Sequence, residues 1–135
     1  MPVQREKIIQ QQVANLLRSL GCGVYVLGTR RRKGDYHGTM QTPGIPDLFA
    51  FLPPYPTYVE DYDYYAAGVA NTAPACLWLE LKAPKGRRTP EQVAFGDACE
   101  RCHVPYVWGG LDDVIAWLVR NGYLKLDSVA HYRRP

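Results

Sequence analysis

Glu80 and Lys82 stand two residues apart in Ala75-Cys76-Leu77-Trp78-Leu79-Glu80-Leu81-Lys82-Ala83-Pro84, an apolar run closed by a proline. Read as a strand, the run alternates its side chains. Glu80 and Lys82 then share a face with Cys76 and Trp78, and Leu77, Leu79 and Leu81 take the other. A carboxylate and an ammonium at the end of a buried strand are costly unless they pair, bind something or reach water. A second carboxylate, Asp47, lies in Gly44-Ile45-Pro46-Asp47-Leu48-Phe49-Ala50-Phe51, a turn that leads into another strand-like run. Two carboxylates on neighbouring strands make an oxygen-rich cage suited to Mg²⁺ or Mn²⁺, and the Leu81 carbonyl could add a ligand. A metal held there polarises a phosphodiester and lowers the pKa of a bound water, while Lys82 holds that water or neutralises developing charge. The same spacing is equally compatible with a Glu80–Lys82 ion pair at a strand end and an Asp47 that serves its turn.

These residues need elements to carry them. Ile8, Ile9, Val13, Leu16, Leu17 and Leu20 follow helical spacing and predict a helix from about Arg5 to Leu20, stopped by Gly21 and Gly23. On that helix Glu6 falls within about 60° of the centre of the apolar stripe, with Gln10 beside it. Glu6 thus serves either the helix dipole from the first turn or a site on the core side. Gly23 to Gly28 reads as a first strand, the Asp47 run as a second reaching Leu52, and the Glu80 run as a third. Thr89-Pro90-Glu91-Gln92 opens a helix: threonine caps, proline suits the first turn, and Gln92 closes a capping box. Val104 to Trp108 is a further strand. Leu111, Val114, Ile115 and Leu118 mark a last helix, whose N-terminus accounts for Asp112 and Asp113. Beyond Gly122 the chain reads as a polar tail with some apolar content. Helix, three-strand meander, crossover helix, strand and helix make an α/β domain with a mixed sheet, order αβββαβα.

The 135 residues suit one domain over 1–135. The net charge of +3 does not by itself specify nucleic acid, but the cations are clustered. Arg30-Arg31-Arg32-Lys33 and Lys85-Gly86-Arg87-Arg88 are suited to phosphates, and Arg133-Arg134 is a third cluster. No run approaches a membrane span and no signal-peptide core is present, so a cytoplasmic protein is expected. Cys99-Glu100-Arg101-Cys102-His103 matches the haem-attachment spacing. With no export signal and no companion ligand pair for zinc, neither haem nor zinc is expected, and both cysteines are read as small hydrophobes facing the core. His37 is read as an exposed loop residue. The segment 53–75 carries Pro53, Pro54 and Pro56, five tyrosines and three acids; the prolines forbid a regular central strand and mark an excursion between paired strands. It suits base stacking, a dimer contact or packing over the domain.

Gly44-Ile45-Pro46-Asp47, Leu79-Glu80-Leu81-Lys82-Ala83-Pro84 and the downstream Gln92 together resemble the VRR-NUC family of the PD-(D/E)xK nuclease superfamily. The resemblance runs from about Glu6 to Leu118, outside the tyrosine- and proline-rich excursion. It implies a restriction-endonuclease-like fold, divalent metal on Asp47 and Glu80, and Lys82 as the catalytic lysine. It places Glu6 where the family has a first-helix acid, and Gln92 as a residue orienting substrate or a ligand of the site. It further implies a DNA endonuclease of phage or bacterial type acting on branched, Holliday-junction-like or duplex DNA as a homodimer. The alternative is a non-catalytic DNA-binding or scaffolding module that keeps the fold.

Overall fold

The computed structural model describes residues 2–27, 42–53 and 75–125. Seven elements follow in the expected order: α1 (Pro2–Ser19), β1 (Gly23–Val26), β2 (Leu48–Phe51), β3 (Cys76–Leu81), α2 (Pro90–Arg101), β4 (Tyr106–Gly109) and α3 (Leu111–Arg120). They form a four-stranded sheet in the order β1-β2-β3-β4. The first three strands are an antiparallel meander, with Leu48 opposite Leu79 and Ala50 opposite Leu77. β4 then joins β3 in parallel, Trp78 facing Tyr106 and Glu80 facing Trp108. A parallel partner cannot be reached by a hairpin, and α2 supplies the crossover.

The two faces of this sheet differ in chemistry. Leu48, Ala50, Leu77, Leu79, Leu81 and Val107 line one face and are sealed by Val13, Leu16 and Leu17 of α1, Leu20 in the turn after it, and Val114, Ile115 and Leu118 of α3. Leu77, Leu79 and Leu81 are essentially inaccessible, as the alternation in the sequence requires. The opposite face is aromatic. Tyr25, Phe51, Phe49, Trp78, Phe95 of α2 and Tyr106 form a chain of ring contacts with centroids 4.5–6.1 Å apart.

Several expectations shift at their edges. α1 begins at Pro2, earlier than the apolar spacing indicated, because proline is tolerated in a first turn. Ile8, placed on the apolar stripe, is instead 58% exposed. β1 ends at Val26 and β2 at Phe51, each short of the expected limit, and β4 begins only at Tyr106, after the Pro105 that cannot donate to a ladder. The residues after Gly122 are no polar tail at their start: Tyr123 and Leu124 are buried. Tyr123 stacks on Trp117 with centroids 6.3 Å apart and donates its hydroxyl to the Pro53 carbonyl at 3.2 Å, tying the end of the fold to the exit of β2. Among the described residues no helix is long and apolar enough to cross a membrane.

Candidate functional site

The antiparallel register that sets Leu48 against Leu79 carries Asp47 opposite Glu80. Asp47 lies in a bend immediately before β2 rather than within the strand. Two hydrogen bonds fix it there. Its carbonyl accepts from the Leu27 amide at 2.9 Å, and its Oδ2 accepts from the Leu81 amide at 3.1 Å. The carboxylate is therefore held against β3 beside Glu80. The turn that delivers it also packs on α2. Gly44 has φ +89°, and a Cβ there would lie 2.4 Å from the Glu91 carbonyl oxygen, so only glycine allows this approach.

Glu80 is 1% exposed, the one charged residue among the buried ones described. Its Oε1 is buried with no hydrogen-bond partner. Burial pushes its pKa from the ordinary 4.5 up to about 8. A hydrogen bond that the protonated carboxyl donates to Asp47, and the Asp47 charge, push in the same direction. The Lys82 ammonium pulls the other way and does not compensate, and Glu6 adds a further push upward. The strand-end reading, in which Glu80 and Lys82 neutralise one another, leaves this carboxyl unexplained. An acid buried against a second acid, with one oxygen orphaned, is costly and has room for a further partner, a water or a cation.

Lys82 continues β3, its amide donating to the Gly109 carbonyl at 2.8 Å. Its half-buried side chain lines a groove of about 750 Å³ with Ile9, Lys85, Trp108, Gly110 and Asp113. Glu6 is half-buried on α1, and its charge is the smallest of the pushes on Glu80. Gln10 is half-buried too. Gln92 is committed to its helix: its Oε1 accepts from the Thr89 amide at 2.8 Å, and the Thr89 hydroxyl accepts from the Gln92 amide at 3.2 Å. The capping role is thus established in full, and its amide oxygen is spent on it.

Of the basic residues, Arg87 and Lys85 are exposed and Arg88 is half-buried, its guanidinium over the Trp108 ring at 4.2 Å. Arg30, Arg31, Arg32, Lys33, His37, the segment 54–74 and Arg133-Arg134 lie outside the described residues. Asp113 is explained as expected, its Oδ2 accepting from the Gly110 amide at 2.9 Å at the start of α3. The cysteine pair divides. Cys99 is buried in α2, where burial first and then Cys102 and Cys76 push its thiol upward, away from the thiolate a metal needs. Cys102, expected to face the core, is exposed because the helix ends at Arg101 and leaves it as the C-cap.

Among the described residues no three His, Cys, Asp or Glu side chains gather as a metal cluster. A metal here would rest on the Asp47 and Glu80 carboxylates, with water, a phosphate or a backbone carbonyl completing its shell. That is the donor set of Mg²⁺, which takes one or two carboxylates and keeps several waters. The orphaned Glu80 Oε1 fits such a group. Trp108 pairs with Glu80 across β3 and β4 and so shares its face, a position that follows from strand alternation only once the parallel register is known.

Fold and site together define an α/β domain with a mixed sheet that holds the carboxylates Asp47 and Glu80 side by side and sets Lys82, two residues along from Glu80, in the lining of a groove. No family model and no curated protein matches the chain. A solved structure described as a VRR_NUC domain is similar over 88% of this chain and 98% of that one, with a TM-score of 0.55 and 18% identity. The fold is therefore the restriction-endonuclease-like arrangement of that domain, and the chemistry is argued from this chain's own residues.

Proposed function

We propose that the chain is a divalent-metal-dependent DNA endonuclease that hydrolyses phosphodiester bonds. The observation that carries this is Glu80: a carboxyl 1% exposed, pressed on Asp47, with Oε1 unpartnered and its pKa pushed to about 8. A purely structural role would have supplied that oxygen with a donor. Asp47 and Glu80 would hold Mg²⁺ or Mn²⁺, which when bound polarises a phosphodiester and acidifies a water. Lys82, on the same face and open to the groove, orients the attacking water and offsets negative charge as the phosphorus becomes pentavalent. Lys85, Arg87 and Arg88 hold flanking phosphates and fix the register of the strand. Glu6 acts on the site from α1 through a water, and Gln92 orients substrate through the part of its amide left free by the cap.

Preference for branched, Holliday-junction-like DNA, a homodimeric form and an intracellular setting go with this reading through the likeness to the VRR_NUC fold. The test incubates purified protein with labelled four-way junction, flap and linear duplex in Mn²⁺ or EDTA. Metal-dependent cleavage of at least one substrate is expected. Binding without cleavage on all three would make the chain a DNA-binding module that keeps the fold.

A further inference from the structure

Trp108 is the residue of the site end that the proposed chemistry leaves unused. It stands opposite Glu80 in the β3–β4 register, so Asp47, Glu80 and Trp108 form one row across three strands on one face. An indole at the end of that row is 41% exposed. Its position is fixed from one side. Arg88 lies over the ring at 4.2 Å. Arg88 is seated in a slot that exists because residue 96 is glycine: a Cβ there would come within 2.9 Å of Arg88 Nη1 and 2.8 Å of the Tyr106 ring. The Tyr106 hydroxyl is buried beside Arg88 without a well-formed hydrogen bond.

Trp108 lines two grooves. Arg88 lines the smaller, of about 410 Å³, with Tyr106 and Trp108. It does not line the larger, of about 750 Å³, where Trp108 sits with Lys82 and Lys85. The indole thus carries a guanidinium over one face, stays 41% exposed, and shares the larger groove with Lys82. Asp112 and Asp113 also line that groove, and Asp113 is engaged with the Gly110 amide.

We propose that Trp108 is a stacking platform for one unpaired nucleobase of the nucleic-acid strand whose phosphate lies at Lys82. This deepens the endonuclease reading and rests on it for the placement of the strand. The chemistry points to a nucleotide rather than to an apolar protein segment. The cations Lys82 and Lys85 line the same groove as Trp108 and suit the phosphates next to a stacked base. The groove volume is that of a small-ligand site. Arg88 polarises the indole from behind and keeps it from turning. A base in a regular duplex is stacked on its neighbours, so the platform selects strands with an unpaired base next to the scissile bond.

The experiment measures binding in EDTA, so that no cleavage is needed for a signal. Labelled oligothymidylate and an abasic strand of the same length and charge are titrated by anisotropy with wild type, Trp108→Ala and Trp108→Phe. Wild type is expected to prefer the base-bearing strand by about tenfold, the contribution of one stacked base. Trp108→Ala loses that preference and leaves abasic binding unchanged, and Trp108→Phe keeps most of it. In wild type, tryptophan emission is quenched by oligothymidylate, and in Trp108→Phe this quenching is lost.

An equal loss on both strands, or no loss on either, overturns the platform. So does an emission change that follows protein concentration and ignores the oligonucleotide, which would assign the ring to a contact between protein copies. Junction cleavage in Mn²⁺ is followed in parallel. Quenching without cleavage removes the nuclease and leaves the platform. Cleavage without a base preference does the reverse.

Discussion

β3 presents two faces that were built by different rules. On one, Leu77, Leu79 and Leu81 are packed out of reach of water between α1 and α3, and any side chain of similar size and polarity would serve. On the other, Trp78 packs under Phe95, and one step along the strand the aromatic layer gives way to Glu80 and Lys82. The first face gains stability with each residue. The second accepts a carboxyl that burial alone would expel, with an oxygen unpartnered, which lowers the stability of the free protein. One strand thus supplies anchoring on one face and, in the proposed reading, chemistry on the other, and neighbouring residues along it answer to opposite demands.

The comparison is broken most severely by changing one face at a time. Asp47→Ala and Lys82→Ala are expected to reduce metal-dependent cleavage by at least about 100-fold with DNA affinity retained. Normal cleavage by Lys82→Ala would remove the lysine from the mechanism. Leu79→Ala, one residue from Glu80, should do the converse. Removing its buried methyl groups costs about 3 kcal/mol in a urea titration, while cleavage per folded molecule stays near wild type. If Leu79→Ala lost activity in excess of folded protein, the faces would be coupled rather than separate.

Glu80 allows a subtler test, because its proton reports the strain of the second face. Its folded pKa, about 8, is raised above the ordinary 4.5. The folded state therefore keeps a proton that the unfolded chain releases. This contribution to stability is complete below about pH 4.5 and is lost as pH rises toward 8. In EDTA, thermal melts of wild type should fall relative to those of Glu80→Gln across that window. The two should converge at its acid end, with the variant a few degrees more stable near pH 8. A constant difference at every pH would mean that Glu80 titrates as an ordinary carboxylate.

The two faces were unequally legible in the sequence. Alternation alone sorts Leu77, Leu79 and Leu81 from Trp78 and Glu80, and the helical spacing of Val13, Leu16, Leu17 and Leu20 gives the helix that covers them. The capping box at Thr89 fixes the start of α2 to the residue. What alternation does not contain is register. The sequence could bring Asp47 to Glu80 only as neighbours on adjacent strands, whereas the observed pairing sets them opposite and adds Trp108 beyond. Trp108 went unread for that reason, since its place depends on a parallel pairing across a crossover. Tyr123 escaped because its burial comes from Trp117 and Pro53, neither of which follows from a local pattern. Cys102 was misplaced by a helix that stops one residue earlier than its spacing suggests.

Gln92 sharpens the comparison at its finest grain, because it belongs to the scaffold by one set of bonds and to the site by proposal. Its Oε1 is held by the Thr89 amide, and its own amide donates to the Thr89 hydroxyl. Thr89→Ala removes the second bond and leaves the first available, at a cost of about 1 kcal/mol. Gln92→Ala removes the reciprocal bond, at a similar cost. If Gln92 only caps, the two variants should match in both melting temperature and cleavage per folded molecule. If it also orients substrate, they match in stability, and Gln92→Ala alone cleaves more slowly, by about tenfold for one lost hydrogen bond to a charged group. The comparison needs both variants, since either alone confounds a frayed helix with a missing contact.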